Sequence, residues 1–202
     1  MGRPKTYDRD EVTDRAMRLF WERGYHAASV RDLTEAMGVN AYSLYAEFGS
    51  KEKLYDEAMA RYHQLVVTQH FGPLEADDAS LEEVEAVVRF FGEGPQVRAS
   101  TLGCLACNAA VELAPTAETS KVSTDRYMDR VSRAFLRALR NAQAEGQLAG
   151  GAPVGELAEF LTVTVTGMLV LIRAGSHHDY LGSTARQALE RLNQFVVPSV
   201  PH

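Results

Sequence analysis

Two short segments of this chain carry side chains that could bind or react. In the first segment, Tyr42, Ser43 and Tyr45 stand close together in a predicted helix. Their hydroxyl groups can exchange hydrogen bonds with phosphate oxygens and with the edges of DNA bases. In the second segment, Cys104 and Cys107 have the spacing Cys-x-x-Cys, which suits a reactive thiol pair or a pair of metal ligands.

The tyrosines belong to a pair of short helical patterns that meet at a glycine. Residues 30–37 have apolar side chains at helical spacing, so one face of the first helix is predicted to be buried. Ser29 is its expected N-cap, Gly38 ends it in the left-handed conformation, and Asn40 caps the second helix. The turn then contains about three residues, as a helix-turn-helix requires. Taken by itself, the pattern is also compatible with an ordinary small helical bundle.

Core packing decides which side chains of the second helix remain outside. Val39, Leu44 and Phe48 are expected to face the core. The outer surface then carries Ala41, Tyr42, Ser43 and Tyr45. Such a surface suits contacts to the phosphates and base edges of DNA.

The residues around this motif resemble the N-terminal domain of the TetR family of transcriptional regulators over about residues 9–62. The matching pieces follow the family's order and spacing: AMRLF at 16–20, RGY at 23–25, SVRDL at 29–33, MGV at 37–39, SLY at 43–45 and FGSKEKL at 48–54. The resemblance implies an all-α protein of about nine helices, with a three-helix DNA-binding domain before a helical ligand-binding and dimerisation domain. Tyr42 and Glu47 depart from the family's usual residues, so the preferred DNA sequence does not transfer from relatives.

Lys51 is a further candidate for DNA contact. It follows the expected N-cap Ser50 in the first turn of a helix, where the macrodipole disfavours a cation. A phosphate bound at the same helix start would reverse that effect, and the resemblance implies a contact to the DNA backbone. A solvated lysine is the alternative. The predicted DNA-binding residues are Arg31, Asn40, Ala41, Tyr42, Ser43, Tyr45 and Lys51.

The net charge of −6 opposes binding to nucleic acid, but its distribution weakens that objection. Residues 1–72 contain ten Lys and Arg against eleven Asp and Glu, so most of the acidity lies in residues 73–202. Arg3 and Lys5 form a basic N-terminal arm that could reach DNA, unless it is an unstructured terminus. With two cysteines, no apolar leader and no apolar run long enough to span a bilayer, we expect a cytoplasmic protein without membrane contact.

Helical patterns extend along the chain, and strand signals are scarce. Trp21 and Tyr25 are expected to pack the first helix on the helix-turn-helix pair. A fourth helix follows Ser50 and is expected to stop at Gly72-Pro73. The domains are therefore an N-terminal arm and DNA-binding domain at 1–50, with its motif at about 29–49, a connecting helix at 51–72, and an effector-binding and dimerisation domain at 73–202.

The second domain is predicted to contain five helices. They are expected at about 80–91, 99–113, 116–145, 154–174 and 181–197, with Gly92 as the end of the first. The helix at about 154–174 carries more apolar side chains than one small core can absorb, so it is either deeply buried or meets its own copy in a second chain. The resemblance implies pairing into a four-helix bundle. The predicted dimer interface consists of Phe160, Leu161, Val165, Met168, Leu169, Ile172, Leu189, Leu192 and Phe195.

The segment around the two cysteines is the candidate sensor. Gly-Cys-Leu at 103–105, with Asn108 and Glu112, is similar to a pattern in one branch of the TetR family, some members of which respond to electrophiles or oxidants through a cysteine. The resemblance implies that Cys104 is the sensing thiol and that Asn108 lines a pocket. Cys107 could resolve an oxidised Cys104, although a bridge within an intact helix would be strained. Both thiols could instead be small buried hydrophobes.

A non-covalent effector would need apolar walls around it. The candidates, unless they belong to the core, are Phe90, Phe91, Met128, Phe135 and Met168. A single Cys-x-x-Cys is weak evidence for a metal, and His177 and His178 add little to it. We therefore expect neither a metal nor a cofactor.

These observations predict a homodimeric transcriptional regulator. In this hypothesis it is a repressor, released from a pseudo-palindromic operator by a small molecule or by cysteine modification. Its partners would be double-stranded operator DNA, a second copy of itself and an unidentified small-molecule or electrophile effector. The sequence contains no Ser-His-Asp grouping and no phosphate-cradling glycine loop, so it does not indicate an enzyme. The alternatives are a helical small-molecule-binding protein or enzyme that keeps the helix-turn-helix as scaffold, and an accessory protein that only dimerises.

Overall fold

The computed structural model describes residues 7–94, 101–113, 118–175 and 178–198. Within these ranges the chain forms nine α-helices and no β-strand, so the predicted all-α fold is confirmed. The basic arm with Arg3 and Lys5 lies outside the described residues, as does His177. The helices are α1 Arg9–Arg23, α2 Val30–Met37, α3 Ala41–Phe48, α4 Lys51–Tyr62 continued by His63–Val67 and Thr68–Glu75, α5 Leu81–Glu93, α6 Leu105–Leu113, α7 Glu118–Ala144, α8 Val154–Arg173 and α9 His178–Asn193.

We use the name head for α1 to α3 with the Lys51–Tyr62 part of α4, and the name sensor domain for α5 to α9. Local caps define the helix-turn-helix as predicted. The Ser29 hydroxyl accepts from the Asp32 N–H at 3.1 Å, and the Asp32 carboxylate accepts from the Ser29 N–H at 3.0 Å. Gly38 takes the left-handed conformation, with φ of 70°. Asn40 Oδ1 then accepts from the Ser43 N–H at 2.8 Å and starts α3.

Two aromatic residues of the head pack differently from the prediction. Trp21 and Tyr25 do not join α1 to the helix-turn-helix pair. The Trp21 ring lies edge-on to Tyr62, with centroids 5.1 Å apart, and Tyr25 packs against Tyr55 at 5.0 Å. Both partners belong to α4, so these two rings connect the C-terminal end of α1 and the turn after it to α4 rather than to α3.

Helix α4 runs without a break from the head into the second domain. It contains a π-helical segment at His63–Val67, and the α7 residue Arg130 donates to the His63 carbonyl at 3.0 Å. The same guanidinium forms a two-point ion pair with Glu75, at 2.6 and 2.8 Å. The predicted stop at Gly72-Pro73 is wrong, because the fixed φ of proline fits a helix and Pro73 removes a hydrogen bond only near the end.

One helix end and one helix start in the sensor domain differ from the prediction. Gly92 lies inside α5, and a Cβ there would be 2.3 Å from the Cβ of Ala185 in α9. The residue therefore permits close packing of two helices instead of ending one. Helix α6 begins at Leu105 rather than near 99, after Gly103 with φ of 65°.

Gly92→Ala is expected to destabilise the protein by about 1–3 kcal/mol, because the added methyl group forces α5 and α9 apart. Denaturant unfolding measures the change. Gly155→Ala is the matched control, since a Cβ at this helical glycine meets nothing within 4 Å. Similar unfolding free energies for the two variants would contradict the packing argument.

The structure corrects most of the predicted dimer interface. Within one subunit, α8 and α9 bury the side chains that face the other helices, namely Leu161, Val165, Met168, Leu169, Ile172, Leu189 and Leu192. Phe195 is half-buried. The open face of α8 carries Phe160, Val163 and Val170, which are 43%, 71% and 45% exposed. The apolar helix thus divides its side chains between its own core and a free stripe.

Helix α8 is also the one described helix that is long and apolar enough, by length and composition, to cross a membrane. Of that apolar stretch, 44% is buried inside the protein. Packing of α8 in the core accounts for the buried part of its apolar surface.

Candidate DNA-binding surface and sensor site

The outer surface of α3 carries the side chains predicted to contact DNA. Tyr42 is 83% exposed and Tyr45 is 48% exposed, whereas Leu44 between them is fully buried. Burial of Leu44 fixes the helix, so the two phenol groups project from a rigid backbone. The neighbouring candidates are exposed or half-buried, namely Arg31, Ala41 and Ser43.

Two further DNA-binding candidates have structural contacts of their own. Asn40 uses its side-chain oxygen to cap α3. Lys51 places Nζ 4.4 Å from the centroid of the Tyr25 ring, in a cation–π contact. Partial burial lowers the pKa of Lys51, while the charge of Glu112 acts to raise it. Lys51 therefore lies at the side of the head that faces the sensor domain.

The two cysteines lie together at the N-terminal end of α6. Cys104 precedes the helix and caps it, since the Cys107 N–H donates to Cys104 Sγ at 3.4 Å. The Tyr62 hydroxyl from α4 lies beside the same sulfur and acts to lower the pKa of Cys104. Both cysteines are buried, with exposures of 1% and 4%. The strain expected for a bridge within an intact helix does not apply, because Cys104 stands outside the helix.

These contacts shift the pKa values of the two thiols in opposite directions. Burial acts to raise the pKa of Cys104, but hydrogen bonds from Cys107 and Tyr62 to its sulfur outweigh burial and lower the pKa. The pKa of Cys107 is raised, because its S–H donates to Cys104 and because it is buried. The pair therefore keeps a proton on Cys107 and gives Cys104 thiolate character near neutral pH.

Tyr127 of α7 closes the sulfur site from the third side. Its hydroxyl is buried near both sulfurs, and this proximity contributes to the lowered pKa of Cys104. The hydroxyl nevertheless makes no well-formed hydrogen bond of its own. Burial, followed by the two cysteines, raises the pKa of Tyr127 itself. Sequence patterns did not reveal Tyr62 or Tyr127, because both lie far from Cys104 along the chain.

A cavity of about 350 Å³ lies between the head and the sensor domain, beside the thiol pair. Cys107 and Asn108 line it, together with Trp21 and Tyr55 of the head. The Asn108 side chain donates to the Leu102 carbonyl at 3.1 Å. The other predicted pocket residues do not line this cavity: Cys104, Phe91, Phe135 and Met168 are buried elsewhere, Met128 is half-buried against the core, and Phe90 is 51% exposed.

Side chains also connect the head to the sensor domain around this cavity. Trp21 Nε1 lies 3.2 Å from the carbonyl oxygens of both Leu102 and Gly103. Arg173 of α8 donates to the Glu22 carbonyl at 2.8 Å. The sequence gives no sign of these pairs, whose members are separated by 80 residues or more. The head is therefore held by hydrogen bonds from two parts of the sensor domain.

Comparison with known proteins agrees with this arrangement of head and sensor domain. Residues 12–58 match the family described as bacterial regulatory proteins, tetR family, and residues 80–189 match a tetracyclin repressor-like C-terminal domain. The chain belongs to the TetR family. The first TetR match covers the helix-turn-helix, and the second covers most of the sensor domain.

Individual TetR proteins resemble the chain over nearly all of its length. The HTH-type transcriptional repressor ComR of Escherichia coli (strain K12) is 35% identical over 93% of this chain and 90% of its own. YezE of Bacillus subtilis (strain 168), an uncharacterized HTH-type regulator, is 27% identical over 90% and 94%. A cysteine mutant of the TetR regulator CifR, complexed with 26-bp double-strand operator DNA, has a TM-score of 0.82 at 32% identity and covers 93% and 98%.

Membership of the TetR family makes this chain a DNA-binding transcriptional regulator and not an enzyme. Across the described part of the chain, no three His, Cys, Asp or Glu side chains come together as a metal site. The candidate functional sites of this TetR chain are thus the exposed surface of α3 and the buried thiol site between α4, α6 and α7.

Proposed function

We propose that this TetR protein is a homodimeric repressor that binds a pseudo-palindromic operator in the cytoplasm. The observation that carries the proposal is the exposed surface of Tyr42 and Tyr45 on a helix whose other side is buried. Similarity to the repressor ComR and to operator-bound CifR supports the same role. The proposed base and phosphate contacts come from Arg31, Asn40, Ala41, Tyr42, Ser43, Tyr45 and Lys51.

The proposed dimer is needed because the exposed surface of one α3 helix is small. A single α3 offers few contacts, so specific affinity requires a second copy. The candidate interface is the exposed stripe of Phe160, Val163 and Val170, with half-buried Phe195 nearby in the chain's C-terminal segment. Two-fold pairing would bury these side chains and place the two α3 helices about 34 Å apart, or at a multiple of one DNA turn.

Lys51→Ala is expected to weaken binding to all DNA sequences and to flatten its salt dependence. Loss of one phosphate contact per subunit lowers the slope of log K against log salt by about 0.9 for each subunit. Titrations at several salt concentrations measure this slope. Arg140→Ala, which removes an exposed cation from the sensor domain, is the control and is expected to leave the slope unchanged. An unchanged slope in Lys51→Ala would remove this residue from the DNA-binding set.

Release from the operator is proposed to start in the sensor domain. A small molecule in the cavity beside Cys107 and Asn108 is one route. Covalent modification is the other: the Cys104 thiolate adds to an electrophilic carbon and forms a thioether. With a peroxide, the thiolate loses two electrons and becomes a sulfenic acid, while the peroxide is reduced to water or an alcohol. Cys107 can then form a disulfide with Cys104 and release water.

The position of Tyr62 supports a connection between modification of Cys104 and the helix that enters the head. Tyr62 contacts the Cys104 sulfur and directly precedes the π-helical segment of α4. Because Cys104 is buried and does not line the cavity, a group added to its sulfur must displace the neighbouring side chains. Displaced α4 helices would change the separation of the two heads. The effector then weakens operator binding by as much as it prefers the state with the wrong spacing.

A mobility-shift assay tests the proposal. The purified protein is mixed with DNA from its own upstream region, with unrelated DNA as competitor. We expect a salt-sensitive shift that resists the competitor. Absence of any shift would contradict the proposal and favour a helical binding protein that uses the motif as scaffold.

A further inference from the structure

We propose that Glu112, at the C-terminal end of α6, is the positioning residue that couples the sensor domain to the DNA-binding head. Its carboxylate accepts from the Tyr25 N–H at 2.9 Å and from the His26 N–H at 2.6 Å, one bond to each oxygen. Tyr25 and His26 lie in the short turn between α1 and α2. A side chain of the sensor domain therefore holds the segment that leads into the helix-turn-helix.

The turn between α1 and α2 has the backbone geometry of a binding site for this carboxylate. Two successive N–H groups point at one anion, an arrangement that forms strong, charge-assisted hydrogen bonds. Gly24 has φ of 84°, and a Cβ there would lie 2.6 Å from a Glu112 oxygen. Glycine at 24 thus provides both the backbone conformation and the space that the carboxylate occupies.

The charge around the contact is also matched. Lys51 stacks on the ring of Tyr25, and Glu112 is close enough to favour the charged form of this lysine. Lys51 belongs to the first turn of α4. The Glu112 carboxylate therefore interacts with the turn after α1 and with the start of α4, two places where the head could pivot.

Helix α6 connects this contact to the thiol site. Cys104 caps one end of the helix and Glu112 lies in its last turn, eight residues later, which is about 12 Å along the axis. A short helix moves as a rigid rod. A shift of α6 by about 1 Å would stretch the two hydrogen bonds beyond the usual limit of about 3.5 Å. Displacement at Cys104 is thereby converted into release of the turn before α2.

Coupling of this kind must act in both directions. If modification of the thiol changes the affinity for operator DNA, bound operator must change the equilibrium constant for that modification by the same factor. With the Glu112 contact removed, the two sites are expected to respond to each other much less. The DNA part of this inference rests on the proposed function, whereas the contact between Glu112 and the turn does not.

Hydrogen exchange of the Tyr25 and His26 amides tests the contact itself. In Glu112→Gln the amides lose the charge and one acceptor oxygen, and we expect their exchange to accelerate about tenfold. Glu82→Gln, an exposed glutamate at the start of α5, is the matched control with unchanged exchange. Peptides from the core report whether each variant is folded, and Glu112→Asp replaces Glu112→Gln if the latter is not. Unchanged exchange at 25 and 26 in a folded variant would overturn the proposal.

The rate of Cys104 alkylation by iodoacetamide, measured with and without operator DNA, tests the coupling. In the wild type, bound operator stabilises the arrangement in which Cys104 is enclosed, so alkylation is expected to be slower by about fivefold or more. In Glu112→Gln the ratio is expected to fall to about half of the wild-type value or less, because only the route through Tyr62 and α4 remains, while in Glu82→Gln it stays as in the wild type. A full operator effect in Glu112→Gln would overturn the coupling role. If the wild type binds no operator, the proposed function fails, and the exchange experiment still decides the contact.

Discussion

Operator DNA is expected to leave the wild-type protein after treatment with N-ethylmaleimide, and Cys104→Ser is expected to abolish this release. Cys104 has thiolate character, and its sulfur contacts Tyr62 in the helix that enters the head. A maleimide adduct at a buried sulfur cannot be accommodated without moving α4 or α6. We expect wild-type affinity to fall about 10- to 100-fold, within the usual range of allosteric coupling. Fluorescence anisotropy with labelled operator measures the change.

Cys107→Ser is the control for this experiment. Its hydroxyl can still donate to Cys104, so the variant is expected to remain sensitive to maleimide. The pH profile of alkylation gives a second reading. Because the pKa of Cys104 is lowered, its reaction rate should reach half of its maximum below pH of about 8.5, the value for a free cysteine. Release that persists in Cys104→Ser would leave non-covalent binding as the route.

Tyr45→Ala is expected to lower specific operator affinity by about 30-fold or more, because a base-edge contact worth about 1–3 kcal/mol is lost in each of two half-sites, or about 2–6 kcal/mol in all. Affinity for unrelated DNA should change much less, because the backbone contacts remain. Tyr45 is half exposed and the buried side of α3 is untouched, so the fold and the dimer are expected to persist. Competition titrations and gel filtration measure the two properties.

A second tyrosine provides the control for Tyr45→Ala. Tyr180 is 62% exposed and lies in α9, away from the head. Tyr180→Ala is expected to leave operator affinity unchanged. Equal affinities of the wild type and Tyr45→Ala for the operator would remove Tyr45 from the proposed reading surface.

Local features of the fold were predictable because they depend on neighbours in the sequence. The caps at Ser29 and Asn40 and the left-handed Gly38 each involve residues within three or four positions. Their side chains satisfy backbone groups that any helix end exposes. The prediction of a buried Leu44 beside exposed tyrosines follows in the same way from helical periodicity.

The predictions were wrong where a residue packs against a partner that is distant in the sequence. Gly92 has the form of a helix stop, but the approach of Ala185 makes it a packing position inside α5. Pro73 has the form of another stop, yet buried Leu74 and the ion pair between Arg130 and Glu75 hold the last turn of α4 together. The seven buried residues of α8 and α9 were assigned to a dimer interface. An apolar pattern does not show whether a side chain packs inside its own subunit or against a second one.

For the thiol site too, the sequence identifies the residues, while contacts with distant residues determine their chemistry. The spacing of Cys104 and Cys107 marks them as a possible reactive pair, and the sequence supports no more than that. Tyr62 and Tyr127 approach the sulfurs from other helices. These contacts, together with the place of Cys104 before the helix, decide which thiol loses its proton.

The sequence by itself determined the family, the helical architecture and the residues on the outer surface of α3, since all three depend on short-range patterns. The tertiary structure decided which of the two thiols has the lower pKa, which side chains of α8 remain exposed, and that Glu112 contacts the turn after α1. Burial and hydrogen bonding depend on which distant groups meet in space. Positions some 87 residues apart, such as Tyr25 and Glu112, carry no local signal of their contact.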